Sequence, residues 1–288
     1  MAKKKDSDNQ YSTGSISVGN GNNQTPENKT RIDPRSFPVD MLMALRFYSR
    51  FPTGGRPHAT PDFNRIAPVL AFASAAISLI PVLVFSLGMA FGLPALLSAS
   101  FGIGVQIIVT GAMAEDALAD SADGLWGGAE VSRRLEIMKD PRHGTYGVLA
   151  IVLLVTIRLS ALSTLLVWSG IGAIMLWLAA QIIARQGALW LLLVLPPART
   201  DGTARAAGTL LRTPFVVGAS LGALLFFVAA GAFVGIFGLA LTLSVLALIV
   251  WGWSRICRSL VGGYTGDLIG ALQALLEIAA LSSFILFI

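Results

Sequence analysis

Residues 215–253 read FVVGASLGALLFFVAAGAFVGIFGLALTLSVLALIVWGW, thirty-nine positions without a charged side chain. A helix needs about 20 apolar residues to cross about 30 Å of hydrocarbon, so the stretch is long enough for two crossings. Two spans joined by a tight turn near Gly235 and Gly238 fit it, and one long tilted helix is the alternative. Working outward, further apolar runs give spans of about 66–92, 94–114, 147–169, 171–195, 215–233, 235–253 and 268–288. The expected fold class is all-α: a polytopic integral membrane helical bundle of about seven transmembrane helices.

Composition agrees. Of 288 residues, 55% are hydrophobic and 13% charged, half the quarter or so that a soluble domain carries, and mean hydropathy is +0.72. Residues 1–65 hold 16 of the 37 charged side chains, so the remainder has too little polar surface to face water as a soluble globule. Residues 1–36 are rich in Asn, Ser, Gly and Thr and are expected to form a disordered cytoplasmic tail. Residues 37–288 then make up a transmembrane catalytic domain. The Lys3-Lys4-Lys5 start leads into no apolar run, so no secretory signal is read there. In 39–51, Met41, Leu42, Leu45, Tyr48 and Phe51 recur at helical spacing. This suits an interfacial amphipathic helix or one that packs on the membrane core.

Basic residues fix the orientation. Arg133, Arg134, Lys139 and Arg142 lie between spans two and three, Arg199, Arg205 and Arg212 between four and five, and Arg255 and Arg258 between six and seven. With seven spans these share one side with the basic N-terminus, which the positive-inside rule places in the cytoplasm. The net charge of +5 therefore reads as topology and attraction to anionic membrane lipid, with no nucleic-acid partner. One cysteine, Cys257, and two well-separated histidines, His58 and His143, without metal-ligand spacing argue against a zinc protease or a Cys/His nucleophile.

The chemistry concentrates in Glu115-Asp116-Ala-Leu-Ala-Asp120-Ser-Ala-Asp123, four carboxylates in nine residues at the end of an apolar run. On a helix Asp116, Asp120 and Asp123 share one face, with Glu115 at its edge. Crowded like charges raise one another's pKa, and each would cost about 2.5–3.5 kcal/mol near the membrane centre. A Mg²⁺ ion at headgroup level resolves both, accepting carboxylate oxygens and bridging to phosphate. A solvated helix end is the plainer account, but the small apolar residues between the acids favour the metal. Lys139 and Arg142 suit phosphate oxygens, although positive-inside anchoring explains them equally well. In Gly262-Gly263-Tyr264-Thr265-Gly266-Asp267 the glycines and a helix N-terminus suit an anion. Asp267 is an N-cap or a further metal ligand. Arg158, Arg185 and Glu277 lie inside spans, where they pair with one another or line a polar cavity.

Together these stretches resemble the cobalamin synthase (adenosylcobinamide-GDP ribazoletransferase) family. ALRFYSRFP (44–52), EDALADSADGLWGG (115–128), RLEIMKDPRHGTYG (134–147) and GGYTGDLIGALQALLE (262–277) carry the resemblance in order. Ala114 and Ala117 stand where the family has His and Gly, and Pro141 and His143 where it has Ser and Ile. The resemblance implies a phosphotransfer: a hydroxyl of α-ribazole, or of its 5′-phosphate, attacks the cobinamide-side phosphate of adenosylcobinamide-GDP and GMP leaves. It implies Mg²⁺ held by Glu115, Asp116, Asp120, Asp123 and Asp267, with Asp123 and Asp120 catalytic. Lys139, Arg142, Thr265, Gly266 and Arg185 are the phosphate- and substrate-binding candidates. The expected location is the bacterial inner membrane with the site facing the cytoplasm, and a homo-oligomer is left open. The rival readings are a CDP-alcohol phosphotransferase, whose acidic signature needs a glycine and an arginine missing here, and a secondary transporter, for which no internal repeat is seen.

Overall fold

A computed structural model describes residues 36–54, 61–199 and 209–288. Its elements are α1 (Phe37–Tyr48), α2 (Phe63–Ile66), a 3-10 turn at Ala67–Val69, α3 (Leu70–Ala90), α4 (Ala95–Thr110), α5 (Met113–Gly127), α6 (Val131–Ile137), α7 (Thr145–Trp168), α8 (Gly170–Ala188), α9 (Trp190–Val194), α10 (Arg212–Val261) and α11 (Gly266–Ile285). Among the described residues the only β-type contact is one isolated bridge, Pro197 to Tyr264. The tail read at 1–36 lies, but for Ser36, outside the described residues, as do His58 and Arg205.

Five helical segments among these residues are long and apolar enough to cross a membrane: Phe63–Ala90, α7, Gly170–Val194, α10 and α11. A sixth forms if α4 and α5, bent by 83°, are one broken span. Helix α10, 50 residues long, would measure about 75 Å if straight, far beyond one crossing. Gly235 interrupts it at φ 64°, ψ −177°, a conformation that glycine enters without the Cβ penalty. Near the start of α10, Phe215 packs on Trp190 with ring centroids 5.9 Å apart, and near its end Arg258 donates to the Val194 carbonyl at 3.1 Å. Both ends lie beside α9, so the chain reverses at Gly235 and α10 supplies two crossings. Counting α10 twice gives six crossings, and the seven expected of the sequence are reached only if the bent α4–α5 pair is counted as well.

Helices α8 and α11 are the most buried spans, while α7 and α10 keep apolar faces outward. Trp177 of α8 meets Phe85 of α3 edge-on at 5.6 Å, and Phe226 of α10 stacks on Phe284 of α11 at 6.1 Å. At one end of the bundle the connections are short and carry no charge, and Trp168 meets Phe233 there at 6.2 Å. At the other end the basic loops touch one another. Arg134 donates to the Leu260 carbonyl at 2.8 Å and Arg199 to that of Leu135 at 2.9 Å, while the Ala198 N–H donates to the Tyr264 carbonyl and the Tyr264 N–H to the Pro196 carbonyl, both at 2.9 Å.

Helix α1 packs on the core, through Phe47 on Phe63 at 5.7 Å and Phe37 on Phe72 at 5.8 Å. Its buried stripe is Asp40, Ala44 and Tyr48, and Leu42 points outward. An acid takes an inner position because Arg65 pairs with it at 2.6 Å and Ser36 donates to it at 2.5 Å.

Candidate active site

Gly111 and Ala112, both left-handed at φ 67° and 57°, end α4 and turn the chain into α5. The small residues of α5 then serve close helix packing. Ala114 and Ala117 lie against Gly270 of α11, where a Cβ on Gly270 would clash with Ala117. Gly124 lies under Met138 and Arg134. With those faces occupied, the four acids of α5 meet three different sets of partners.

Asp116 and Asp120 face outward together and meet a residue absent from the expected set, His143. Its Nε2 is 3.8 Å from Asp116 Oδ1 and its Nδ1 is 3.7 Å from Asp120 Oδ1. One ligand atom from each of the three can be chosen so that all lie within 4.8 Å of one another. Asp116 is 64% exposed and Asp120 18%. Burial first, then the neighbouring Asp116 and Asp267 carboxylates, push the Asp120 carboxyl up to about 7, with His143 acting in the opposite sense. Two carboxylates and an imidazole within this reach form a donor set suited to a divalent cation.

Asp123, expected as a base, is buried and already engaged. Its Oδ2 accepts from the Gly144 N–H at 2.6 Å and its Oδ1 from the Gly147 N–H at 2.9 Å. It therefore ties α5 to the first turn of α7, satisfying helix-start N–H groups that have no intrahelical partner. A Cβ at Gly147 would run into this carboxylate, so the approach depends on glycine. Asp123 also lines an open cleft of about 490 Å³ with Gly127, Ile137, Arg142, His143 and Tyr146.

Glu115 turns inward, away from the other acids, to Arg158 of α7, which also bonds Glu277 of α11 at 2.5 Å. Glu277 further accepts from Gln181 at 2.6 Å. The paired reading of the intramembrane charges thus holds for Arg158 and Glu277. Arg185, counted as a substrate-binding candidate, is buried in this interior near Glu277 and Tyr48 rather than beside Asp116 and Asp120. Its Nε and one terminal nitrogen have no hydrogen-bond partner among the described residues.

Around the rim, Lys139 is exposed on the turn after α6. Arg142, 86% exposed, forks onto Asp140 at 2.8 and 3.0 Å, and this partner holds the Asp140 carboxyl down to about 2. Thr265 caps α11 by accepting from the Leu268 N–H at 3.2 Å, and its hydroxyl donates to Asp267 at 3.3 Å. Gly266 is the first residue of that helix. Asp267 faces Arg199 at 3.8 Å, and the Asp120 carboxyl feels its charge. Arg199 joins the rim although its position suggested only topology. His143 has no histidine or cysteine partner in the sequence to mark it as a ligand. Its place two residues after Pro141 and directly before the Gly144–Gly147 turn was the available signal.

A polytopic bundle thus gathers outward-facing carboxylates, basic loops and a glycine-rich helix start at one end, the layout of a membrane-embedded enzyme with an acidic site. The model of the family described as cobalamin-5-phosphate synthase matches residues 40–285. An adenosylcobinamide-GDP ribazoletransferase of Azorhizobium caulinodans is 41% identical over 258 residues, covering 86% of this chain and 96% of that protein. The protein of the same name from Rhizobium meliloti is 37% identical over 267 residues, covering 87% and 97%. No solved structure matches the chain. The chain belongs to the cobalamin-5-phosphate synthase family and is a transferase of cobalamin biosynthesis.

Proposed function

We propose that the protein transfers the adenosylcobinamide phosphate group of adenosylcobinamide-GDP to α-ribazole or its 5′-phosphate, releasing GMP, at the cytoplasmic face of a bacterial inner membrane. The acceptor oxygen bonds to the corrinoid-side phosphorus, the bond from that phosphorus to the bridging oxygen breaks, and the hydroxyl proton passes to a carboxylate of the site. The observation that carries the reading is the meeting of Asp116 and Asp120 with the 139–147 and 265–267 segments at one end of the bundle.

Asp116 and Asp120 would hold Mg²⁺, with Asp267 adding negative charge beside them. When bound, the ion neutralises diphosphate charge and stabilises the charge that builds on the leaving phosphate. The chain's own groups do the rest. Lys139 and Arg142 offer cations to phosphate oxygens; Arg142 can leave Asp140 readily because an exposed pair is weak. Asp120 is the better placed of the two expected catalytic acids, since both oxygens of Asp123 are held by backbone N–H groups. Asp123 contributes by fixing the turn that carries His143 and by walling the cleft.

The test is GMP release from adenosylcobinamide-GDP and α-ribazole by purified protein in detergent micelles, with and without Mg²⁺. Release should require the metal and fall to background when Asp116 and Asp120 are both changed to Asn. Full release by the double variant, or release unaffected by chelator, would overturn the reading.

A further inference from the structure

His143 stands in the family-like stretch 134–147 where the resemblance carries isoleucine, and its ring lies between Asp116 and Asp120. Its nitrogens are 3.8 and 3.7 Å from carboxylate oxygens of those two residues. A direct hydrogen bond would bring them to about 2.7–3.2 Å, so the ring is not simply bonded to either acid. An ion takes only one ring nitrogen. One ligand atom from each of His143, Asp116 and Asp120 can be chosen so that all three lie within 4.8 Å of one another, close enough for a small side-chain movement to bring them onto one ion. The imidazole is also held in place, because the next residue donates its N–H to buried Asp123 at 2.6 Å, anchoring the turn on the same stripe of α5. Ala114, where the resemblance has a histidine, packs against α11 at Gly270. His143 therefore does not replace that side chain in space; it adds a nitrogen donor on another face.

We infer that His143 is a metal ligand, completing a mixed carboxylate–imidazole site with Asp116 and Asp120 that favours transition-metal dications of the Mn²⁺ or Co²⁺ kind over Mg²⁺. This rests on the metal site proposed above and deepens it. Mg²⁺ prefers oxygen donors and dehydrates reluctantly, whereas imidazole nitrogen suits first-row transition ions. One aromatic nitrogen in the coordination sphere shifts selectivity while the two carboxylates keep affinity for either ion. The site remains open to solvent on the Asp116 side, which leaves positions for water and for phosphate oxygens.

The full chain, purified through a histidine-free affinity tag in detergent micelles, should bind Mn²⁺ with a ¹⁴N coupling visible by pulsed electron paramagnetic resonance. His143→Ile should abolish that coupling and weaken Mn²⁺ at least about tenfold, while Mg²⁺, read by competition, weakens less. His143→Gln provides the same comparison with a polar side chain retained, and unfolding midpoints identify which variants remain folded. Mn²⁺ bound through Asp116 and Asp120 without nitrogen coupling, or coupling that survives in folded His143→Ile and His143→Gln, would overturn the ligand role and leave the carboxylate site standing. Failure of either ion to bind in a manner sensitive to Asp116→Asn would overturn this inference together with the metal reading beneath it.

Discussion

Two clusters of ionisable groups share helix α5 and differ in how their charge is met. In the interior, Glu115 and Glu277 close on Arg158, with Gln181 bonded to Glu277, and every charged member is buried. At the end of the bundle, adjacent Asp116 joins Asp120 and His143, with solvent on one side and no arginine or lysine paired to either acid in an ion pair among the described residues. The peptide bond between residues 115 and 116 thus divides a set whose acids are ion-paired from one whose acids face no paired arginine. Within the paired set, Glu115 Oε2 and Arg158 Nε keep no hydrogen-bond partner among the described residues. An acid buried among spans persists only if its charge is answered inside the protein. An acid left unanswered at the edge is available to a cation from outside.

The largest expected effect breaks the interior set. Arg158→Met leaves two carboxylates buried without their cation and should lower stability by about 3–5 kcal/mol, measured by denaturant unfolding in micelles. Adding Glu115→Gln alone, which keeps Glu277 near the buried Arg185 cation, should recover part of the loss. The outer set should respond the other way. Asp120→Asn relieves crowding, so the unfolding midpoint should hold or rise while GMP release falls about 10²–10³-fold. A third test strikes the link between the sets. Gly147→Ala drives a Cβ into the Asp123 carboxylate and should cost about 1–3 kcal/mol, with turnover reduced because the turn carrying His143 shifts. The smallest effect is one of pH. The Asp120 carboxyl sits up at about 7, so below that value protons compete with the metal, and above it the carboxylate is free to bind. Mn²⁺ affinity should fall by about tenfold per pH unit as acidity increases below 7, and Asp120→Asn should flatten that slope.

Much of this arrangement was legible in the chain. Uninterrupted apolar length gave the spans, and the reversal at Gly235 was readable because 215–253 is nearly twice one crossing. The basic loops, sorted by that count, were expected on one side, and Arg134, Arg199 and Arg258 do meet across it. Helical periodicity placed Asp116 and Asp120 together, since they are one turn apart. It could not show that Asp123, on the same stripe, would be captured by two N–H groups of another helix, because that depends on where α7 begins in space. Nor could it assign Glu115 to Arg158, forty-three residues away. His143 was least legible: a ligand donated by a turn has no periodic partner to announce it, and only the docking of that turn on α5 reveals its use. Arg185 shows the opposite failure, an intramembrane cation read as substrate-facing that lies instead in the interior.

The uncharged connections at 91–94, 169 and around 235 give the molecule a chemically silent end. Met89 lies under Gly170 and Trp168 against Phe233, so little main chain stands free there. Amine-reactive labels, proteases and antibodies supplied from that side would find almost nothing to hold, while every such reagent has handles on the other. A sealed vesicle containing the protein in a single direction can therefore be sorted by labelling alone, without inserting a reporter into any loop.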